Sequence, residues 1–351
     1  MKIRRLSVQN VRSHEEKVIE LSPQTTVIVG KNGVGKTTLL EAIYIALQGT
    51  SFKGSDGDIL RHDAPWYRID ILLDDETTRS VTFDPSRTSG KKRFIIHDKT
   101  SYRISPRDKY PVVLFEPEDL RLLHGSPSRR RQFIDHFITQ IDPTYTTTLR
   151  KYERALKQRN ALLKSDTITN EDLFVWNVAL SEYGAKIVEQ RIYAIEMINK
   201  ELNDYYYSIS NTDDTISTHY SDTLIGNLSQ KLLGELEGRL HYDKAVKHTS
   251  VGPHRHDVLF HFNGRLAVTT ASRGEIRSIV ISLKLIEANL IQKITSKKPI
   301  TLLDDIYSDL DETRQKNITQ NALQTIITSV KETPDIAGES DLEIDTVAID
   351  Q

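Results

Sequence analysis

A chain of 351 residues, 38% hydrophobic and 27% charged with a net charge of −2, has the make-up of a soluble globular protein, and its length favours two domains over one. The absence of cysteine excludes disulfides and thiolate-held zinc and fits a reducing cytoplasm, no apolar run reaches the length of a membrane span, and the N-terminus has no signal-peptide pattern. Charge is uneven: Glu332, Asp335, Glu339, Asp341, Glu343, Asp345 and Asp350 crowd a final stretch without Lys or Arg, leaving the rest positive, which suits a polyanionic partner or a solvated surface.

Residues 1–20 alternate in places and are predicted to form strands around a turn at 10–14. Arg12 lies in that turn and, from residue pattern alone, reads as a surface arginine; the alternative is an approach to a bound nucleotide. Val27-Ile28-Val29 is a β-branched run expected of a buried strand, and residues 39–47 form a mostly apolar helix stopped at Gly49. Between them Gly30-Lys31-Asn32-Gly33-Val34-Gly35-Lys36-Thr37 fills the template G-x-x-x-x-G-K-[ST] of a phosphate-binding P-loop. Glycines let the backbone curl around phosphate oxygens, and the helix N-terminus aims N–H groups and the positive end of its dipole at them. The stretch from Gly30 to Thr38 is therefore expected to cradle a nucleotide, with Lys36 on the β- and γ-phosphates and the Thr37 hydroxyl on Mg²⁺.

After a polar loop at 50–56, strands are predicted over 67–73, 79–84 and 94–96. A basic turn at 87–93 ends in Lys91, Lys92 and Arg93, which either touch a phosphate backbone or guard an exposed hairpin against stray pairing. Residues 111–115 are a compact apolar strand, and Pro117 with its acidic neighbours is placed to start a helix. A helical region begins at Ser126-Pro127, breaks at Asp142-Pro143 and resumes to about Lys164. Its second half carries Arg150, Lys151, Arg154, Lys157, Arg159 and Lys164, a basic face that either contacts nucleic acid or faces water. Apolar residues then recur at three- and four-residue steps over 171–208, one helix of roughly 55 Å if continuous.

A polar break at 211–214 and a short helix over about 222–240 precede a strand, the turn Asn263-Gly264 and a strand ending at Val268. Ser272-Arg273-Gly274-Glu275 opens a long apolar helix; alone it reads as an N-cap, which is also an anion-binding arrangement. Residues 299–305 form a buried strand ending in two carboxylates, the Walker B pattern, in which Asp304 holds Mg²⁺ and Asp305 polarises the attacking water. Ser308-Asp309-Leu310-Asp311 follows, and 325–327 is one more strand.

A P-loop near the start, a serine-glycine helix start, then a carboxylate-ended strand about 30 residues on is the order of an ATP-binding-cassette head. The expected fold is α/β: an ABC/SMC-type P-loop ATPase lobe contributed by residues 1–110 and 246–351, with an inserted, mainly helical lobe at 111–245. In that architecture Ser272 caps the γ-phosphate held by a second copy. Nucleotide then joins two heads, because the γ-phosphate supplies charge-assisted hydrogen bonds that ADP lacks. The gap from Thr37 to Ser272 is longer than a transporter cassette needs and too short for the coiled coil of a chromosome-structuring protein.

Several strings resemble the RecF family, bacterial DNA replication and repair ATPases of the SMC/ABC class. They are the P-loop with Leu40-Glu41-Ala42-Ile43; Phe115-Glu116-Pro117-Glu118-Asp119-Leu120; Gly125-Ser126-Pro127 with Arg129-Arg130-Arg131; Gln158-Arg159-Asn160-Ala161-Leu162-Leu163; Gly252-Pro253-His254-Arg255; and Leu302 to Asp305 with Ser308 to Asp311. The resemblance covers nearly the whole chain. It implies ATP-dependent homodimerisation on DNA, and slow, DNA-stimulated ATP hydrolysis with Mg²⁺. It implies work with RecR and RecO to load RecA at gapped or junction DNA, without sequence specificity, on the nucleoid in the cytoplasm. Lys36 and Thr37 match the P-loop roles, Asp304 and Asp305 the Walker B roles, Ser272 the signature serine, and Arg12 the arginine of the first turn. The departures are Arg273 where glutamine is usual, His256 where an acid is usual and Val11 in place of an aromatic. Thr328-Ser329 stand where transporter heads carry a switch histidine. A transporter-type ATPase subunit would need that histidine, a fuller signature and a membrane partner. A DNA scaffold that uses ATP only as a dimer switch would differ from an ATPase in phosphate release.

Overall fold

The computed structural model describes residues 1–165, 167, 169–222, 226–305, 323–330 and 344–349; Ser308 to Asp311 and most of the acidic C-terminal run lie outside them. Two compact units emerge, Met1–Leu120 with Glu287–Gln351, and Arg121–Ile286. These limits differ from the 110/111 and 245/246 boundaries expected from sequence. Strand pairing is the reason: residues 112–115 join the sheet of the first unit, whereas 258–262 pair with 216–220 in the second.

The first unit opens with β1 (Ile3–Val11), β2 (His14–Glu20), β3 (Thr25–Val29), α1 (Lys36–Gln48), α2 (Asp56–Ile59), β4 (Tyr67–Leu73), β5 (Thr78–Phe83), β6 (Lys92–Ile96), β7 (Lys99–Ser101) and β8 (Val112–Phe115). Among the described residues β2-β1-β4-β5-β6-β7 form one antiparallel sheet in that order. β4 alternates buried side chains with exposed or half-buried ones along its length, as a strand covered mainly on one face does. Lys92 and Arg93 belong to β6 and not to the hairpin tip, because they pair with Phe83 and Thr82. A 3₁₀ turn at Pro117–Arg121 stands where a helix start was expected.

The second unit holds α3 (Pro127–Ile141), α4 (Pro143–Leu162), the 41-residue α5 (Asn170–Ser210), β9 (Ile216–Tyr220), α6 (Leu228–Gly238), α7 (Leu240–Val246), β10 (Val258–Phe262), β11 (Arg265–Leu266), α8 (Ala267–Thr270) and most of α9 (Arg273–Thr295). The helix α5 packs on α3, α4, α6 and β9. Ala267 and Val268, expected in a strand, start α8 instead, since pairing to β10 ends at Leu266. The helix expected over 222–240 is shorter, and Asn227 sets its start by accepting a hydrogen bond from Gln230 N at 3.1 Å.

Two of the most specific strings turn out to lock this unit together. Arg159, counted above in a basic face for nucleic acid or solvent, is fully buried: its Nη1 meets Asp243 at 2.7 Å and Thr249 Oγ1 at 2.8 Å, and its Nε meets Asn177 at 2.7 Å. Asn160 accepts from both the N–H and the hydroxyl of Thr249. Around Gly252-Pro253-His254-Arg255, Arg191 forks onto Asp135 with both bonds at 2.8 Å and reaches Pro253 O at 2.7 Å. Gly252 has φ +117°, and a Cβ there would sit 2.8 Å from the Tyr152 hydroxyl, so only glycine fits. Burial pushes His254 and His256 down to about 4, which keeps both rings neutral at pH 7.

The chain returns to the first unit through β12 (Ile300–Leu303), β13 (Thr325–Ser329) and β14 (Ile344–Ala348). Among the described residues these complete a parallel sheet in the order β14-β3-β13-β12-β8. β3, β8, β12 and β13 are buried at every residue, as parallel strands covered on both faces require. The helix α1 packs against β1, β4 and β5 of one sheet and β8 and β13 of the other. Its run from Leu39 to Leu47 is apolar but for Glu41 and shows no polar face, because every residue of that run is buried. Gly49 ends it in the left-handed conformation, φ +86°, with its N–H on Ile45 O at 2.8 Å. No helix among the described residues is long and apolar enough to cross a membrane.

Candidate nucleotide-binding site

Parallel topology brings the separate signals together: the P-loop leaves the C-terminal end of β3, Thr328 lies near the end of β13, and Asp304 and Asp305 follow β12, with β13 between the other two. Ligands of open α/β sheets bind at that edge. Lys31, Asn32 and Gly33 are exposed at the crest of the loop, whereas Val34, Lys36 and Thr38 are buried and Gly30, Gly35 and Thr37 lie between. The Lys36 ammonium, 4% exposed, donates to Gly30 O at 2.9 Å and Lys31 O at 3.2 Å and lies 3.9 Å from Asp305 Oδ1. The Thr37 hydroxyl donates to Asp304 Oδ1 at 2.6 Å across 267 positions of sequence.

The turn between β1 and β2 closes over this loop. Gly35 has φ +93°, and a Cβ there would meet His14 Nε2 at 2.4 Å and Ser13 Oγ at 2.5 Å. The ring of His14 sits 3.1 Å from Gly35 O. Arg12 is not a free surface arginine: Nε and Nη2 donate to the two carboxylate oxygens of Glu41 at 2.7 and 3.0 Å, which raises its pKa further. Ser51 also donates to Glu41, whose side chain is 1% exposed.

Three groups to which the sequence reading gave no role in the site complete the acidic corner. Lys53 donates to Asp304 Oδ2 at 3.0 Å. The Thr328 hydroxyl lies 3.1 Å from Asp304 Oδ1 and accepts from Asp305 N at 2.9 Å. Glu116, the residue after β8, is pushed up to about 7, first by burial and then by Asp119, against the pull of Lys53. A cation in the polar loop after the P-loop helix was the available signal for Lys53, and an acid directly after an apolar strand was that for Glu116; Thr328 had only its place where transporter heads carry a histidine.

Ser272 belongs to the other unit. It caps α9: its hydroxyl accepts from Glu275 N at 3.3 Å, and Glu275 accepts from Ser272 N at 2.5 Å, a capping box. The hydroxyl side chain is exposed. Of the cations expected at DNA, Lys91, Arg150, Lys151 and Arg154 are exposed, Arg93 is half-buried over the Tyr102 ring, and Lys92 is tied to Asp56.

A family model for the AAA domain matches residues 5–333. The DNA replication and repair protein RecF of Streptococcus agalactiae serotype V is 34% identical over 342 residues, spanning 94% of this chain and 91% of that protein. That of Streptococcus pneumoniae strain ATCC 700669 is 35% identical over 340 residues, spanning 95% and 93%. A solved structure of the recombination mediator protein RecF-ATPrS in the RecFOR pathway is similar with a TM-score of 0.87 and 28% identity, over 99% of this chain and 95% of that one. An SMC head bound to the winged-helix domain of ScpA matches at 0.53 and 16% identity, over 95% and 90%, a likeness of fold alone.

Proposed function

This chain belongs to the RecF family, and from that premise we propose an ATP-dependent DNA-binding ATPase of recombinational repair and replication restart. Two copies clamp ATP between them on DNA in the cytoplasm. The pair acts with RecO and RecR to load RecA at gapped or junction DNA, and slow, DNA-stimulated hydrolysis releases it. The observation that carries the reading is the 2.6 Å bond from Thr37 to Asp304, which joins the P-loop to the strand-end carboxylates. A hydroxyl and a carboxylate side by side are hard oxygen donors that fit Mg²⁺; when bound, the ion would offset charge on the β- and γ-phosphates.

The chain's own residues have distinct tasks. Backbone N–H groups from Gly30 to Thr38 bind the phosphates, and Lys36 exchanges its loop carbonyls for β- and γ-phosphate oxygens. Arg12, held by Glu41, stands beside the nucleotide. Asp305 orients the attacking water and accepts its proton. Ser272 of one copy caps the γ-phosphate held by the other. Sedimentation with gapped duplex in ATP, ADP or no nucleotide tests the whole: co-sedimentation must rest on ATP, and equal binding in ADP would refute the clamp.

Two substitutions separate the parts. Ser272→Arg should leave ATP affinity of the monomer within about twofold yet abolish ATP-dependent dimers seen by light scattering; normal dimers would end the cross-copy assignment. Reversing Lys91, Arg150 and Arg154 to Glu should lower DNA affinity and shrink its salt dependence by roughly one unit of slope for each phosphate no longer neutralised. An unchanged slope would return these side chains to solvent.

A further inference from the structure

We infer that Thr328 is a positioning residue for both carboxylates at the end of β12. The inference deepens the function proposed above and rests on it. Thr328 is completely buried, near the end of β13, the strand between the P-loop strand β3 and β12. Its hydroxyl accepts from Asp305 N at 2.9 Å and lies within reach of two acceptors, Asp304 Oδ1 at 3.1 Å and Leu303 O at 3.4 Å. A hydroxyl has one proton to give. The nearer, charged oxygen takes it, because a charge-assisted bond is the stronger one. One oxygen atom thus fixes the side chain of Asp304 and the backbone of Asp305 together.

Both partners need such a hold. Asp304 is 3% exposed, and its two oxygens already face Thr37 and Lys53. The Thr328 bond, on the same oxygen as that of Thr37, fixes which way the carboxylate plane turns. Asp305 has φ +51°, a left-handed conformation that is uncommon outside glycine and that aspartate adopts where local hydrogen bonds hold it. The bond from its N–H to Thr328 is one such constraint, and it sets where the Asp305 side chain leaves the backbone. The same side chain is 3.9 Å from the Lys36 ammonium. Valine at 328 would keep the shape of the strand and remove the bridge.

The test compares Thr328→Val, Thr328→Ser and Asp305→Asn with the parent chain in ATP, Mg²⁺ and gapped duplex. It measures turnover, KM, equilibrium binding of a fluorescent ATP analogue and the thermal midpoint. Thr328→Val should lower kcat about 10- to 100-fold, with KM and nucleotide affinity within about twofold, and Thr328→Ser should restore most of the rate. Equal loss in Val and Ser would overturn the role of the hydroxyl. A fall in nucleotide affinity or thermal midpoint parallel to the loss of rate would show a packing role and overturn it too. A normal rate in Thr328→Val while Asp305→Asn is inactive defeats this inference alone; a normal rate in Asp305→Asn defeats the Walker B reading and the inference with it.

Discussion

Replacing Lys36 with alanine should abolish ATP binding. The ammonium is 4% exposed and held in the curl of the P-loop by Gly30 O and Lys31 O. Reaching a triphosphate from there exchanges two neutral acceptors for two charged ones. Hydrogen bonds to charged groups contribute about 1.5–3 kcal/mol each, so losing two weakens binding by roughly a hundredfold or more. The variant also removes the ammonium 3.9 Å from Asp305 Oδ1, which leaves the phosphates facing two aspartates without it. Titration of a fluorescent ATP analogue in Mg²⁺ checks this; an unchanged dissociation constant would refute the P-loop assignment.

Arg159→Met should cost the fold about 3–5 kcal/mol, the usual effect of removing one member of a buried ion pair. Arg159 and Asp243 are both 0% exposed, so methionine leaves a carboxylate buried with only Ser250 N, at 3.0 Å, among the bonds described for it. The companion prediction guards against a trivial packing defect. Arg159→Met combined with Asp243→Leu should recover most of the loss, because a buried pair replaced whole by apolar side chains is often neutral. Urea unfolding followed by circular dichroism reads both variants; a single-variant loss under about 1 kcal/mol, or no recovery in the double, would overturn the account.

What could be read in the sequence follows the reach of each signal. The P-loop is contiguous, and its strand, glycines and helix announce themselves within 24 positions, Thr25 to Gln48. The Walker B pair is equally local, two acids at the end of an apolar strand. Thr328 and Lys53 meet Asp304 only because β13 and the loop after α1 converge on it, and sequence separations of 24 and 251 leave no pattern to detect. Glu41 is similar: nothing within α1 says that an arginine 29 residues earlier will claim it. Arg159 is a different case. Tyr145, Tyr152, Ala155 and Arg159 recur at steps of seven, three and four and are all buried, whereas Arg150, Arg154 and Lys157 follow the opposite face. Helical phase would have placed Arg159 inside, had it been allowed to outweigh residue type.

The strand β14 was not anticipated either, since its acidic neighbourhood masks the β-branched residues Ile344, Thr346 and Val347. It has a practical bearing on handling the protein. β14 shields one flank of β3, running from Ile344 beside Thr25 to Ala348 beside Val29, and Ile349 N bonds Val29 O at 2.8 Å, immediately before Gly30. Trimming the chain ahead of Ile344 would bare that row of backbone donors and acceptors, inviting a neighbouring molecule to zip onto it. The same cut would loosen the anchor point of the nucleotide loop, so a shortened version that clumps or binds ATP poorly would be reporting a broken seam rather than a missing tail.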